Sequence, residues 1–199
     1  MSGRTSRSQL LGELPVLVVV AVLIAYGVKT LVAQAFYIPS GSMIPQLDIG
    51  DRVVVSKVAY HLHPERRGDI LVFDAPNRRP APRLPLVRRV IRGVEESIGV
   101  VQPSTEEFIK RVVGLPGETV EGREGHVLVN GRELVEPYLV AGTTTSDFGP
   151  LTVPPHDLWV MGDNRSNSSD SRVFGPIRAA TVVGRAFVRV WPPSRLAFL

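Results

Sequence analysis

Residues 14–28, LPVLVVVAVLIAYGV, carry no charge, and no other stretch restricts the fold of this chain as strongly. Fifteen residues fall short of the about 20 that cross a hydrocarbon core as a helix. Carried on through KTLVAQAF to Phe36, the run reaches twenty-three residues, roughly 34 Å as a helix. Lys29 lies near its outer end, where a long side chain can snorkel to the interface. Arg4 and Arg7 precede the run with only Glu13 against them, a bias that keeps the leading residues cytoplasmic. Residues 1–13 then read as a cytoplasmic tail, 14–36 as a signal-anchor helix, and 37–199 as the exported part. A rival fits the pattern equally: a basic start, an apolar centre and AQA at 33–35 is also the form of a cleavable secretory signal. A buried core helix is the poorer third reading, because the β-branched run Val18, Val19, Val20 disfavours a soluble helix.

Beyond residue 37 the texture is that of strands. RVVVS (52–56), ILVF (70–73), FIKRVV (108–113), LWVM (158–161) and VVGRAFVRV (182–190) are short, β-branched or aromatic, and bounded by Gly and Pro. HVLVNGREL (126–134) predicts a hairpin with Asn130-Gly131 at a turn that needs positive φ. PNRRPAPRLP (76–85) reads as a loop. LVRRVIRGVEESIGVV (86–101) predicts the one helix outside the apolar run, with apolar residues at 86, 87, 90, 91 and 94. The fold expected is a mainly β domain behind one membrane helix, with a spacer at 74–107.

Chemistry has few donors to choose from. The chain has no cysteine, which removes disulfides and thiolate metal sites. Four histidines, His61, His63, His126 and His156, lie in no triad pattern, and neither GxSxG nor HExxH occurs. HLH at 61–63 lacks a neighbouring carboxylate and reads as solvated loop imidazoles. No metal or cofactor is implied. The basic residues are mostly Arg, but nothing interleaves them with aromatics, so nucleic acid is not an expected partner.

IPSGSMIPQL (38–47) sets Ser40 and Ser42 between prolines just past the apolar run. A nucleophilic serine needs a base. With histidine unplaced, lysine remains: burial lowers its pKa by disfavouring the charged form, whereas Arg effectively never deprotonates. There are three lysines, Lys29, Lys57 and Lys110, and none stands three residues after a serine, which excludes an SxxK pair. Lys110 precedes Arg111 on a predicted strand that is apolar on both faces, so alternation does not say which side chain is buried. By itself the segment reads equally as an edge strand bearing a surface lysine.

Five motifs, PSGSMIPQL (39–47), GDRVVVSK (50–57), RRGDILVF (66–73), KRVVGLPGE (110–118) and MGDNRSNSSDSR (161–172), together resemble the type I signal peptidases in order and spacing, and the preceding apolar run fits the single-span form common in Gram-positive bacteria. The resemblance covers about residues 14–190. It implies a β-sheet Ser–Lys peptidase with Ser42 as nucleophile and Lys110 as general base. Ser40 and the Ser42 N–H would form the oxyanion hole, Ser168 would hydrogen-bond and orient the lysine, and Asp163, Arg165, Asp170 and Arg111 would brace the site. Phe36, Ile38, Met43, Leu47, Val53, Val72, Phe108 and Ile109 would form shallow pockets for small residues, typically Ala, at the first and third positions before the cut. Gln46 and Ser166 depart from the usual residues at positions without a catalytic role. The implied substrates are secretory preproteins, cut through an acyl-enzyme at the outer face of the cell membrane, with FVRVWPPSRLAFL (187–199) lying on lipid. The resemblance favours an anchor that is retained, leaving AQA as a candidate self-cleavage site. The rival functions are a self-cleaving repressor-type Ser–Lys peptidase and a tethered β-rich binding module.

Overall fold

The computed structural model describes residues 15–20, 32–76 and 107–199. The predicted loop beyond residue 76, the predicted helix at 86–101 and most of the 74–107 spacer lie outside the described residues, as does most of the apolar run. Residues 15–20 are helical and exposed, and among the described residues no helix is long and apolar enough to cross a membrane.

The strands in chain order are β1 (Ala33–Tyr37), β2 (Arg52–Ser56), β3 (Ile70–Asp74), β4 (Glu107–Gly114), β5 (Thr119–Arg123), β6 (His126–Val129), β7 (Arg132–Glu133), β8 (Phe148–Thr152), β9 (Asp157–Met161), β10 (Ile177–Arg178), β11 (Val182–Trp191) and β12 (Ala197–Phe198). Two single-turn helices join them, α1 (Ala59–Leu62) and α2 (Ser171–Phe174). The larger sheet has eight strands in the order β1-β2-β11-β3-β4-β9-β10, with β12 added to β11; the smaller has four, β7-β6-β5-β8.

All five runs read as strands are strands, because β-branched residues suit a pleated, buried surface. The hairpin is also as expected: Asn130 and Gly131 take φ of 51° and 74° between β6 and β7. Two expectations change. Residues 33–36, assigned by the sequence to the end of a membrane helix, form strand β1 together with Tyr37, paired antiparallel with β2 from Ala33↔Ser56 to Tyr37↔Arg52. The pairing satisfies backbone groups that a helix end would leave open, and it buries Phe36 while Tyr37 faces out. The HLH segment forms the end of α1 and its cap at His63 rather than a plain loop.

Three apolar clusters support the sheets. Phe36, Ile38, Met43, Leu47, Val53, Val55, Ile70, Val72, Ile109 and Ala186 pack where β1, β2 and β3 meet the 38–51 loop. Leu71, Phe73, Val112, Leu158, Val160 and Ile177 fill the opposite face. Val113, Val120, Val127, Val153, Trp159 and Met161 weld the smaller sheet to the end of β4. Each such side chain contributes about 1.5–3 kcal/mol when fully buried. Strand β4 therefore touches all three clusters, through Ile109, Val112 and Val113.

Candidate active site

Ser42 sits in a 3-10 turn, Gly41–Met43, just after β1. The loop is pinned at its base by Ile38 N–H donating to Asp51 O at 2.9 Å and Gly50 N–H donating to Ile38 O at 2.9 Å. From the other side the 162–170 loop closes on it: Asn164 donates from its backbone N–H to Ser42 O and from Nδ2 to Gly41 O, both at 3.0 Å. Asn164 is a positioning residue that sequence reasoning passed over, although it lies inside the GDNRS motif.

Lys110 reaches the serine from the middle of β4. Its Nζ lies 2.8 Å from Ser42 Oγ and donates to Ile109 O at 2.9 Å. Both residues are buried, Lys110 at 4% exposure and Ser42 at 7%. Desolvation lowers the Lys110 pKa from 10.5 to about 8, against the opposing pull of Asp170 and Asp163. The 2.8 Å contact works in either state: a protonated amine donates to the hydroxyl, and a neutral one accepts its proton. Ser40 Oγ, on the exposed side, is 3.5 Å from Ser42 Oγ.

Neighbouring Arg111 is held quite differently. Its Nε and Nη2 donate to the two carboxylate oxygens of Asp163 at 2.8 and 2.6 Å, its Nη1 donates to Gly68 O at 2.8 Å, and its guanidinium lies 4.0 Å over the Tyr138 ring. Arg165 donates to Gly162 O at 3.1 Å and to Thr145 Oγ1 at 2.8 Å, and forms a forked pair with Glu136, which also accepts from Tyr138 OH at 2.6 Å. Asp170 accepts from Gly162 N–H at 3.0 Å and from Arg172. Burial alone would raise its pKa, but these donors outweigh burial and hold it below the usual carboxylate range. Glu136, Tyr138 and Arg172 belong to this bracing network although the sequence did not single them out. Glu136 meets Arg165, and Tyr138 meets Arg111, across more than 25 residues of chain; Arg172 meets Asp170 two residues away.

Ser168 is brought to the site but not as expected. Its Oγ is buried beside Asp170 and favours that carboxylate, yet it is not placed to make a regular hydrogen bond, and the bond to Lys110 is not formed. Lys110 Nζ bonds Ser42 Oγ and Ile109 O instead. Gly162 explains the tight fit: a β-carbon there would lie 2.2 Å from Ser168 Oγ and 2.5 Å from Ser42 O.

A cavity of about 420 Å³ opens over Ser42 and Lys110, lined by Phe36, Ile38, Val72, Phe108 and Ile109 among others. These five are pocket residues of the sequence reading. Met43, Leu47 and Val53 are not: each is fully buried in the cluster beneath the cavity, because the 38–51 loop folds Met43 and Leu47 inward and Val53 lies on the buried face of β2. Tyr37, Glu107, Asn167 and Ser169 line the cavity in addition.

The chain matches the family model described as "Signal peptidase, peptidase S26" over residues 11–191. It is 43% identical to signal peptidase I of Leptolyngbya laminosa over 90% of this chain and 79% of that one. It is 37% identical to signal peptidase I of Mycobacterium tuberculosis (96% and 76%) and 32% identical to that of Bacillus caldolyticus (90% and 91%). With a family match over nearly the whole length and relatives of this identity, the chain belongs to the S26 signal peptidase family of serine peptidases.

Proposed function

We propose that this chain removes signal peptides from exported preproteins by a Ser42–Lys110 dyad acting through an acyl-enzyme. The observation that carries the reading is the 2.8 Å approach of a 4%-exposed lysine amine to a buried serine hydroxyl. With a pKa of about 8, roughly one Lys110 in ten is neutral at pH 7, and a substrate that seals the cavity raises that share by further desolvation.

Neutral Lys110 takes the Ser42 proton as Oγ bonds to the scissile carbonyl carbon. The oxyanion is held by the Ser42 N–H and the Ser40 hydroxyl. Lys110 passes its proton to the amine as the C–N bond breaks, leaving an ester on Ser42 and freeing the mature N-terminus. Lys110 then takes a proton from water, the hydroxide bonds to the ester carbon, and Ser42 recovers its proton as the signal peptide departs as an acid. The cavity walls, Phe36, Ile38, Val72, Phe108 and Ile109, are apolar and close to the serine, which suits small side chains at the first and third positions before the cut.

The apolar run supports a membrane anchor, with the catalytic domain on the outer face where the substrate's own apolar segment presents its cleavage site. Exposed Ile44, Ile49, Trp191, Leu196 and Phe198 support lipid contact by the domain itself. Trp191 is at home at such an interface. Pairing of β1 with β2 supports retention of the anchor: AQA at 33–35 lies within that ladder, so a cut there requires the strand to unzip. Recovery from cells of a mature form beginning at Phe36 contradicts retention.

The test is cleavage of a secretory preprotein by the full chain in detergent. Wild type cuts after a small-X-small site, while Ser42→Ala and Lys110→Arg fold and do not. Full activity in Lys110→Arg contradicts the lysine base, and a wild type that binds the preprotein without cutting it favours a binding module.

A further inference from the structure

The loop bearing Ser42 is held on its inner side by β4 and Asn164. A second set of bonds, outside the dyad and its bracing network, holds the same loop from its far side. Asp51 is 1% exposed, and its carboxylate accepts from Asp48 N–H at 2.9 Å, Arg195 Nη1 at 3.1 Å and Arg189 Nη1 at 3.5 Å. Arg195 Nη1 also bonds Asp48 Oδ2, and its Nη2 lies 3.5 Å from Pro45 O. Arg189 Nη1 bonds Gln46 O, and Arg189 Nε donates to Arg195 O at 2.6 Å. Two guanidiniums thus engage both carboxylates and two carbonyls of the turn that follows the nucleophile.

Resting on the reading of Ser42 as nucleophile, we propose that Arg195 is a positioning residue for catalysis, clamping the 45–51 turn so that Ser42 Oγ stays in reach of Lys110. The turn transmits the effect directly, since Leu47 N–H donates to Met43 O at 2.9 Å, one residue from Ser42. Arg195 itself is carried on a short segment, with 29% of its side chain exposed, and it belongs to none of the three apolar clusters. Its removal leaves the sheets packed and frees the turn. A small displacement of a nucleophile is costly because the reacting atoms must meet at near contact distance.

The experiment compares full-length wild type, Ser42→Ala, Arg195→Ala, Arg195→Lys and Asp48→Asn in detergent micelles, by preprotein cleavage kinetics and amide hydrogen exchange. Cleavage by wild type and its loss in Ser42→Ala judge the peptidase reading. The clamp is judged on Arg195→Ala alone, for which kcat falls about tenfold with KM within about twofold. The amides of Leu47, Asp48 and Asp51 exchange faster, while those of β4 and β9 do not. Arg195→Lys recovers most of the rate, since one ammonium can sit between the two carboxylates, and Asp48→Asn gives a smaller loss. The exchange measurement judges the clamp even where no preprotein is cut. Wild-type kcat and exchange in Arg195→Ala overturn the proposal. So does faster exchange throughout the domain with no recovery in Arg195→Lys, the mark of a merely structural arginine.

Discussion

Lys110 and Arg111 are consecutive residues of one strand, both cationic and both buried, yet they meet opposite surroundings. Arg111 is gripped by both oxygens of Asp163 and by Gly68 O. Among the described residues, Lys110 has a hydroxyl and a carbonyl, and no carboxylate, within hydrogen-bond reach. Burial with a carboxylate keeps a cation charged and makes it a strut; burial without one drives the proton off and makes a base. Alternation along β4 sends the two side chains to opposite faces, so one strand supplies both the base and an anchor for the 162–170 loop.

Exchanging the two roles is the harshest way to break the comparison. Lys110→Arg keeps the charge, on a longer side chain, but cannot deprotonate, and cleavage should fall by about 10²–10⁴-fold, read from preprotein turnover with circular dichroism showing the fold intact. Gly162→Ala attacks the seam between the two regions. Its β-carbon displaces Ser168 or the Ser42 carbonyl, and kcat should drop by on the order of 100-fold with KM less affected. On the strut side, Arg111→Ala strands Asp163 in the interior and should cost about 3–5 kcal/mol, measured by denaturant unfolding.

The base side has a gentler signature in stability. The folded-state pKa of Lys110 is depressed from 10.5 to about 8, so between those values the unfolded chain binds more protons and stability rises with pH. The cost of this group is absent above pH 10.5, develops as pH falls, and is complete below about 8, at about 3 kcal/mol. Lys110→Met should therefore be more stable than wild type at pH 7 and lose that advantage as pH rises through this window. An advantage unchanged across the window would mean that the methionine gains by packing and the lysine pays no charge penalty.

Much of this was legible in the sequence, and the exceptions share a cause. Runs such as RVVVS and LWVM announce strands by composition because each is buried on its own terms. Ala33–Tyr37 does not: AQAFY extends an apolar run without a turn signal, and only pairing with β2 makes it a strand. Eliminating histidine and arginine pointed to a lysine base, and the ordered motifs then singled out Ser42 and Lys110. Met43, Leu47 and Val53 could not be told from Phe36, Ile38 and Val72, since apolar side chains look alike until the 38–51 loop and the first strands turn some inward and leave others facing the cavity. Glu136, Tyr138, Asp51 and Arg195 were illegible for a further reason. Each acts through a partner distant in sequence, and a carboxylate or guanidinium carries no mark of whom it will meet.

The central claim is that burial brings the pKa of one amine down to about 8, low enough for a working share of it to be neutral near pH 7, and it can be measured directly. With only three lysines in the chain, ¹³C labelling of the lysine ε-carbons gives few signals, and the one lost in Lys110→Met belongs to the base. Titrated in the intact, detergent-solubilised protein, that signal should show a midpoint near 8. A Lys110 midpoint between about 10 and 11, like that of a free lysine, would contradict the account.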